Sequence, residues 1–216
     1  KMEESPGRFG RTPLITKLYV AAVTDALTEH ARSGNLVYHG LAGGLLLRDL
    51  PGVLKIRLIA PMSYRIQALM DSHGMEEQAA EAYIHEVDEA RYQWVKNVYG
   101  ENNTDPSLYD MVLNLGSFSI PEACEVVKSA ASRPEFEMNP ARMKALEDFR
   151  LACQVRLALL DDLGTQTLDL DAEVSDGVAV VLGEAPLLNT GEVGNRISEI
   201  ASSVPGVKEV RLAIEW

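Results

Sequence analysis

The residue types able to do chemistry in this chain are arginines near glycine-rich turns, and the chemistry they suit is the handling of phosphate. Gly7-Arg-Phe-Gly10-Arg11-Thr12 has glycine spacing and precedes a helix, but no strand leads into it. Pro13 also withholds an amide where a helix start would offer one. The stretch therefore reads as a linker-like N-terminus. His39-Gly-Leu-Ala-Gly-Gly44 is glycine-rich as well, and reads as a tight strand-to-helix turn. Gly-x-x-x-x-Gly-Lys-Ser/Thr, the loop that cradles nucleotide phosphates, does not occur. Arg65 lies one helical turn beyond Pro61. Asp88 and Arg91 stand three apart on a long charged stretch, so they share a helix face and are placed to pair.

Other chemistries find no footing. His30, His39, His73 and His85 fall at no metal-ligand spacing with each other or with Cys124 and Cys153, which read as packing or surface histidines and reduced, buried thiols. No Gly-x-Ser-x-Gly or Cys/His arrangement supplies a covalent nucleophile. Glu76, Glu77, Glu81 and Glu86 form a polar helix face, and Lys96 belongs to the surface.

The elements that must position these residues alternate. A helix is expected from Pro13 to Ala31, stopped by Gly34, then a short strand at Leu36–Tyr38. A brief helix over Gly44–Arg48 and a strand over Val53–Ala60 follow. Pro61 opens a helix closing at Gly74, with Ile66, Leu69 and Met70 on one face. A longer helix spans Met75–Tyr99, apolar at Ala79, Tyr83, Val87, Trp94 and Val98. Tyr109–Asn114 is a strand, and Ser119 with Glu122 forms a capping box for a helix to Ala131. Short apolar strands alternating with helices imply a parallel sheet with crossover helices.

Composition shifts across 132–139, a linker. Beyond it Asn139-Pro140 caps a helix to Asp162, and strands at Gln166–Val174 and Val178–Glu184 join through Asp176-Gly177, a strong hairpin signal. A helix at Glu192–Ser203 and a strand at Val207–Ile214 complete an αββαβ order. The fold expected is α/β: a partial parallel sheet, then a small α+β domain, with boundaries at 1–132 and 139–216.

A chain of 216 residues is comfortable for two domains, and its net charge of −12 divides evenly between them. So acidic a protein lacks the electrostatic footprint of a nucleic-acid binder, and anionic lipid should repel it. There is no apolar run of membrane-spanning length and no signal-peptide core, so the cytoplasm is the expected compartment.

Three stretches, Arg48-Asp-Leu-Pro-Gly-Val, Arg57-Leu-Ile-Ala-Pro-Met-Ser-Tyr-Arg65 and Asp105-Pro-Ser-Leu-Tyr-Asp-Met-Val-Leu-Asn114, resemble in that order the cytidylate-kinase-like family of nucleoside monophosphate kinases. The resemblance implies a P-loop-kinase-type fold, ATP and Mg²⁺ as donor and cofactor, and a nucleotide such as CMP as acceptor. It places Arg65 at a nucleotide phosphate, and Asp88 with Arg91 in the Asp-x-x-Arg of a catalytic lid. It also implies an arginine within the His39–Gly44 turn, where Leu41 stands. The family's opening strand and phosphate loop have no counterpart here. Lys1-Met2 reads as an internal boundary, with those pieces expected upstream in a parent phosphotransferase and this chain inactive by itself. The alternative is a non-catalytic regulatory or assembly module. Asp-Gly-Val in the hairpin and Val204-Pro-Gly-Val-Lys-Glu-Val resemble a BON domain. A nucleotide and a second copy of the chain, compensating an unpaired strand edge, are the expected partners.

Overall fold

Pro13 has no amide hydrogen to leave unsatisfied, and the chain enters helix α1 (Leu14–Ala31) directly behind it. The computed structural model describes residues 12–48, 50–185 and 189–215; Gly7–Arg11 of the N-terminal glycine stretch lie outside them. After α1 come a single helical turn α2 (Gly43–Leu46), strand β1 (Ile56–Ile59), α3 (Met62–His73) and α4 (Glu77–Tyr99). Strand β2 (Met111–Asn114) and α5 (Ile120–Ala131) follow, then α6 (Pro140–Asp161), β3 (Asp169–Ser175), β4 (Val178–Glu184), α7 (Thr190–Ser203) and β5 (Glu209–Glu215).

The chain divides into two units. One holds His39–Arg48 with Gly52–Glu137; the other gathers residues up to Tyr38, 50–51, and everything from Met138 onward. The division near 138 falls in the expected linker, but α1 groups with the C-terminal residues rather than with those that follow it. The physical cause is on its surface. Arg150 of α6 reaches Asp25 at 3.5 Å and Glu29 at 2.8 Å, Lys17 reaches Asp169 at 3.3 Å, and Val20, Ala21 and Leu27 are buried.

In the 39–137 unit β1 and β2 pair in parallel, Ile56 opposite Met111 through Ile59 opposite Asn114, which makes the crossover architecture a fact of the fold. The sheet has these two strands. Leu36–Tyr38, expected as a strand, has no strand pairing among the described residues, and Val37 is 92% exposed. Val98 of α4 is buried as expected, but the other buried residues are Ala80, Ile84 and Val95 in place of the expected Ala79, Tyr83, Val87 and Trp94. A helix this polar has a weak apolar stripe. Ser119 and Glu122 form the expected capping box.

The other unit runs α6-β3-β4-α7-β5, the expected αββαβ order, as a three-stranded sheet ordered β3-β4-β5. Asn139 caps α6 by accepting from the Arg142 amide at 2.9 Å. Asp176 and Gly177 have φ of 56° and 82°, the left-handed pair that a two-residue hairpin requires. Val155 and Leu159 of α6 meet Ala172, Ala179 and Val181 of the sheet and Ile197 and Ala201 of α7 in one core. Among the described residues no helix is long and apolar enough to cross a membrane.

Candidate functional site

Arg65 is positioned by the carboxyl end of β1. The strand runs into Ala60-Pro61, Pro61 caps α3, and the Arg65 amide closes the first turn on the Pro61 carbonyl at 3.1 Å. The β2 end is clamped beside it: the Leu115 amide donates to Ile59 O at 2.8 Å, and Asn114 Oδ1 accepts from the Gly116 amide at 2.9 Å. A Cβ on Gly116 would fall 2.6 Å from the Pro61 ring, so glycine is what lets the two turns approach. Carboxyl ends of parallel strands are where open sheets of this kind bind ligands.

The guanidinium of Arg65 meets Asp88 of α4 fork to fork, Nη1 to Oδ2 at 2.6 Å and Nη2 to Oδ1 at 2.7 Å. That hydrogen bonding holds the Asp88 carboxyl below its ordinary range against the opposing cost of desolvation, with the nearby charges of Arg65, Arg91 and His85 adding to it. The same bond raises Arg65. Asp88 therefore pairs across helices with Arg65, not along its own helix with Arg91. Arg91 is exposed and acts on Asp88 by charge alone.

Sequence reasoning passed over two supports. Arg57 of β1 stacks its guanidinium 5.6 Å from the Tyr109 ring, and Asp110 accepts from the Lys55 amide at 2.7 Å. Both Tyr109 and Asp110 lie inside the Asp105–Asn114 stretch, so the signal was the motif itself. Cys124, expected buried, is exposed; Cys153 is buried, and burial pushes its thiol up to about 11. The exposed position follows from α5, which buries Ala123 and turns the next residue outward.

The arrangement can hold an anion if one displaces Asp88 from Arg65. It offers little else. Pro61 at the α3 N-cap and Pro121 in the first turn of α5 carry no amide hydrogen, and the Ser119 and Glu122 amides are engaged within the capping box, which thins the N–H groups that the two strand-to-helix turns can turn toward a phosphate. Among the described residues no three His, Cys, Asp or Glu side chains gather to hold a metal ion, and both oxygens of Asp88 are occupied. The described residues therefore do not fit a nucleotide-bound Mg²⁺.

The fold is similar to a crystal structure of an uncharacterized protein from Eubacterium ventriosum, with a TM-score of 0.50 at 18% identity over 62% of this chain and 75% of that one; the likeness is one of fold. In sequence the chain is 31% identical to a cytidylate kinase from Methanopyrus kandleri over 110 residues, covering 47% of this chain and 57% of that protein. It is 29% identical to a cytidylate kinase from Pyrococcus horikoshii over 102 residues, covering 47% and 52%. The chain thus spans about half the length of these curated relatives. Residues 147–216 match the BON domain, and residues 2–117 match the cytidylate kinase-like family. The chain belongs to the cytidylate kinase-like family.

Proposed function

We propose that residues 39–137 are the acceptor-side part of a nucleotide phosphotransferase, passing phosphate from ATP to a nucleoside monophosphate such as CMP in the whole protein, and that this chain by itself turns nothing over. One observation carries the reading: Arg65, seated at the carboxyl end of β1 in a fork-to-fork grip with Asp88, has Arg91 one helical turn from that carboxylate. A phosphate entering there would take the Arg65 fork from Asp88 and gain Arg91 as a second cation. Charged hydrogen bonds of this kind are worth ~1.5–3 kcal/mol each before desolvation and ordering costs. Without an amide cradle the net affinity should be about millimolar or weaker.

A coupled assay with ATP, Mg²⁺ and CMP tests the catalytic half of the reading. Turnover above ~0.1 s⁻¹, well under typical enzymes, would overturn it. The binding half is tested by titrating CMP while following amide shifts. They should cluster at Arg65 and Arg91 and vanish in the Arg65→Ala, Arg91→Ala double variant; shifts at Gly7–Thr12 that survive it would move the site to the N-terminal stretch.

A second reading makes the chain a non-catalytic regulatory or assembly module acting through its BON-like part. Leu41, an aliphatic side chain in the turn where an arginine is expected, favours it, as does the failure of Leu36–Tyr38 to join a sheet. The CMP titration separates the two, since this reading expects no specific shift at either arginine.

A further inference from the structure

The two edges of the β3-β4-β5 sheet are treated differently. At β3 the guanidinium of Arg156 donates to the Ala172 carbonyl at 2.6 Å and pairs with Asp171, while Lys17 of α1 holds Asp169. That edge is covered. Among the described residues no side chain does the same at β5. The strand matches β4 over seven consecutive positions, Val178 opposite Glu209 through Glu184 opposite Glu215, with no bulge. Val210 and Ile214 pack toward the core and Leu212 shares their face by alternation, so that face carries no proline and no charge. Proline and inward-pointing charge are two of the devices that stop an edge from pairing; the charges β5 does carry, Glu209, Arg211 and Glu215, lie on the opposite face.

The backbone points the same way. The Glu209 amide donates to Gly177 O, and the Glu215 carbonyl accepts from the Ala185 amide, so the odd-numbered residues turn their polar groups toward β4. By the alternation of a strand, Val210, Leu212 and Ile214 turn their N–H and C=O away from it. Leu212 is 37% exposed, and Glu209, Arg211, Ala213 and Glu215 are exposed as well.

We propose that β5 is a homodimer interface, pairing antiparallel with β5 of a second copy so that the two three-stranded sheets become one of six strands. The charge pattern selects the partner and the register. With Ala213 on the twofold axis, Leu212 meets Ile214 of the partner subunit as a hydrogen-bonded pair, and Arg211 meets Glu215 of the partner subunit on the other face. Each contact occurs twice. Centring on Leu212 instead would set Glu209 against Glu215 of the partner subunit, like charge on like. Arg211 is already held by Glu209 within its own strand at 2.7 Å, which fixes the guanidinium over the face where the second carboxylate arrives. This surface is independent of the phosphate reading, and is not the parallel sheet whose open edge first suggested self-association.

The test is sedimentation of the full chain over about 1–300 µM, the range of weak interfaces, joined to amide exchange. A reversible dimer is expected. Exchange at Val210, Leu212 and Ile214 should slow as concentration rises, while Arg211 and Ala213 stay protected throughout. Arg211→Glu should weaken association at least about tenfold, and adding Glu215→Arg should restore it. Leu212→Lys, at an exposed edge position, should leave a folded monomer. A monomer across the whole range would overturn the proposal. So would a dimer that survives Leu212→Lys, or one indifferent to the charge swap, which would mean that a different surface or a different register is used.

Discussion

Arg65 and Asp88 are each other's ligand in this chain, and that sets what substitution does. Asp88→Asn keeps the shape and removes the competing charge, so sulfate or nucleotide should bind several-fold more tightly, measured by amide-shift titration, whereas Arg65→Ala should abolish binding. The pair also sets an acid limit. A carboxyl held below its unfolded value contributes stability that is complete above about pH 3.9 and is lost as pH falls through the folded value. Because both side chains are partly exposed, at 32% and 44%, the contribution should stay under about 1 kcal/mol. Urea midpoints of the wild type and Asp88→Asn should therefore differ by a constant amount near neutrality and converge in acid. The two thiols give a second check at this scale. Cys124 is exposed and Cys153 is buried with its pKa pushed to about 11, so a thiol reagent at pH 8 should label one cysteine in the native chain and both only after denaturation. Labelling of both in the native state would mean that α6 opens readily.

At the scale of elements, the pairing of β3 with β4 depends on Gly183. Its φ is +140°, outside what L side chains adopt, and a Cβ there would collide with the Asp169 carbonyl. Gly183→Ala should cost more than about 2 kcal/mol by chemical denaturation, while the same change at Gly191, where nothing lies within 4 Å, should cost little. These elements also show what the sequence could disclose. The helix starts at Pro13, Pro61, Ser119 and Asn139 and the turn at Asp176-Gly177 were legible because each rests on local backbone chemistry. Leu36–Tyr38 was misjudged because a strand needs a neighbour, and no local pattern says whether one arrives. In the site, Arg65, Asp88 and Arg91 could be singled out one by one. Their connection could not: i,i+3 spacing suggested a pair within α4, and the partner came from another helix. The face of α4 slipped for the same reason, since what buries it is tertiary.

The whole molecule carries a net charge of −12, and polyanions such as heparin or duplex DNA should not be retained by it at moderate salt. Its two units predict where it breaks. Through the linker residues of 133–138 all but Phe136 are exposed, so limited proteolysis should cut there first. The fragment released beyond that cut would lack α1, and with it the cover over one face of α6. Fragment 139–216 should consequently gain stability when a peptide of residues 12–38 is added, read as a rise in its urea midpoint. An unchanged midpoint would mean that α1 is dispensable to that unit.

Because α1 belongs with α6, the unit it completes is interrupted by about a hundred residues of other structure. At a synthesis rate of about 5–20 residues per second, α1 leaves the ribosome some 5–20 s before its partner helix exists. Through that interval Val20, Ala21 and Leu27 have no native cover, and the residues from 39 to 137 can collapse before α1 finds its place. The entropic cost of closing so long a loop grows only slowly with length, so the equilibrium tolerates the interruption. Timing is where it is felt: α1 is made early and used late.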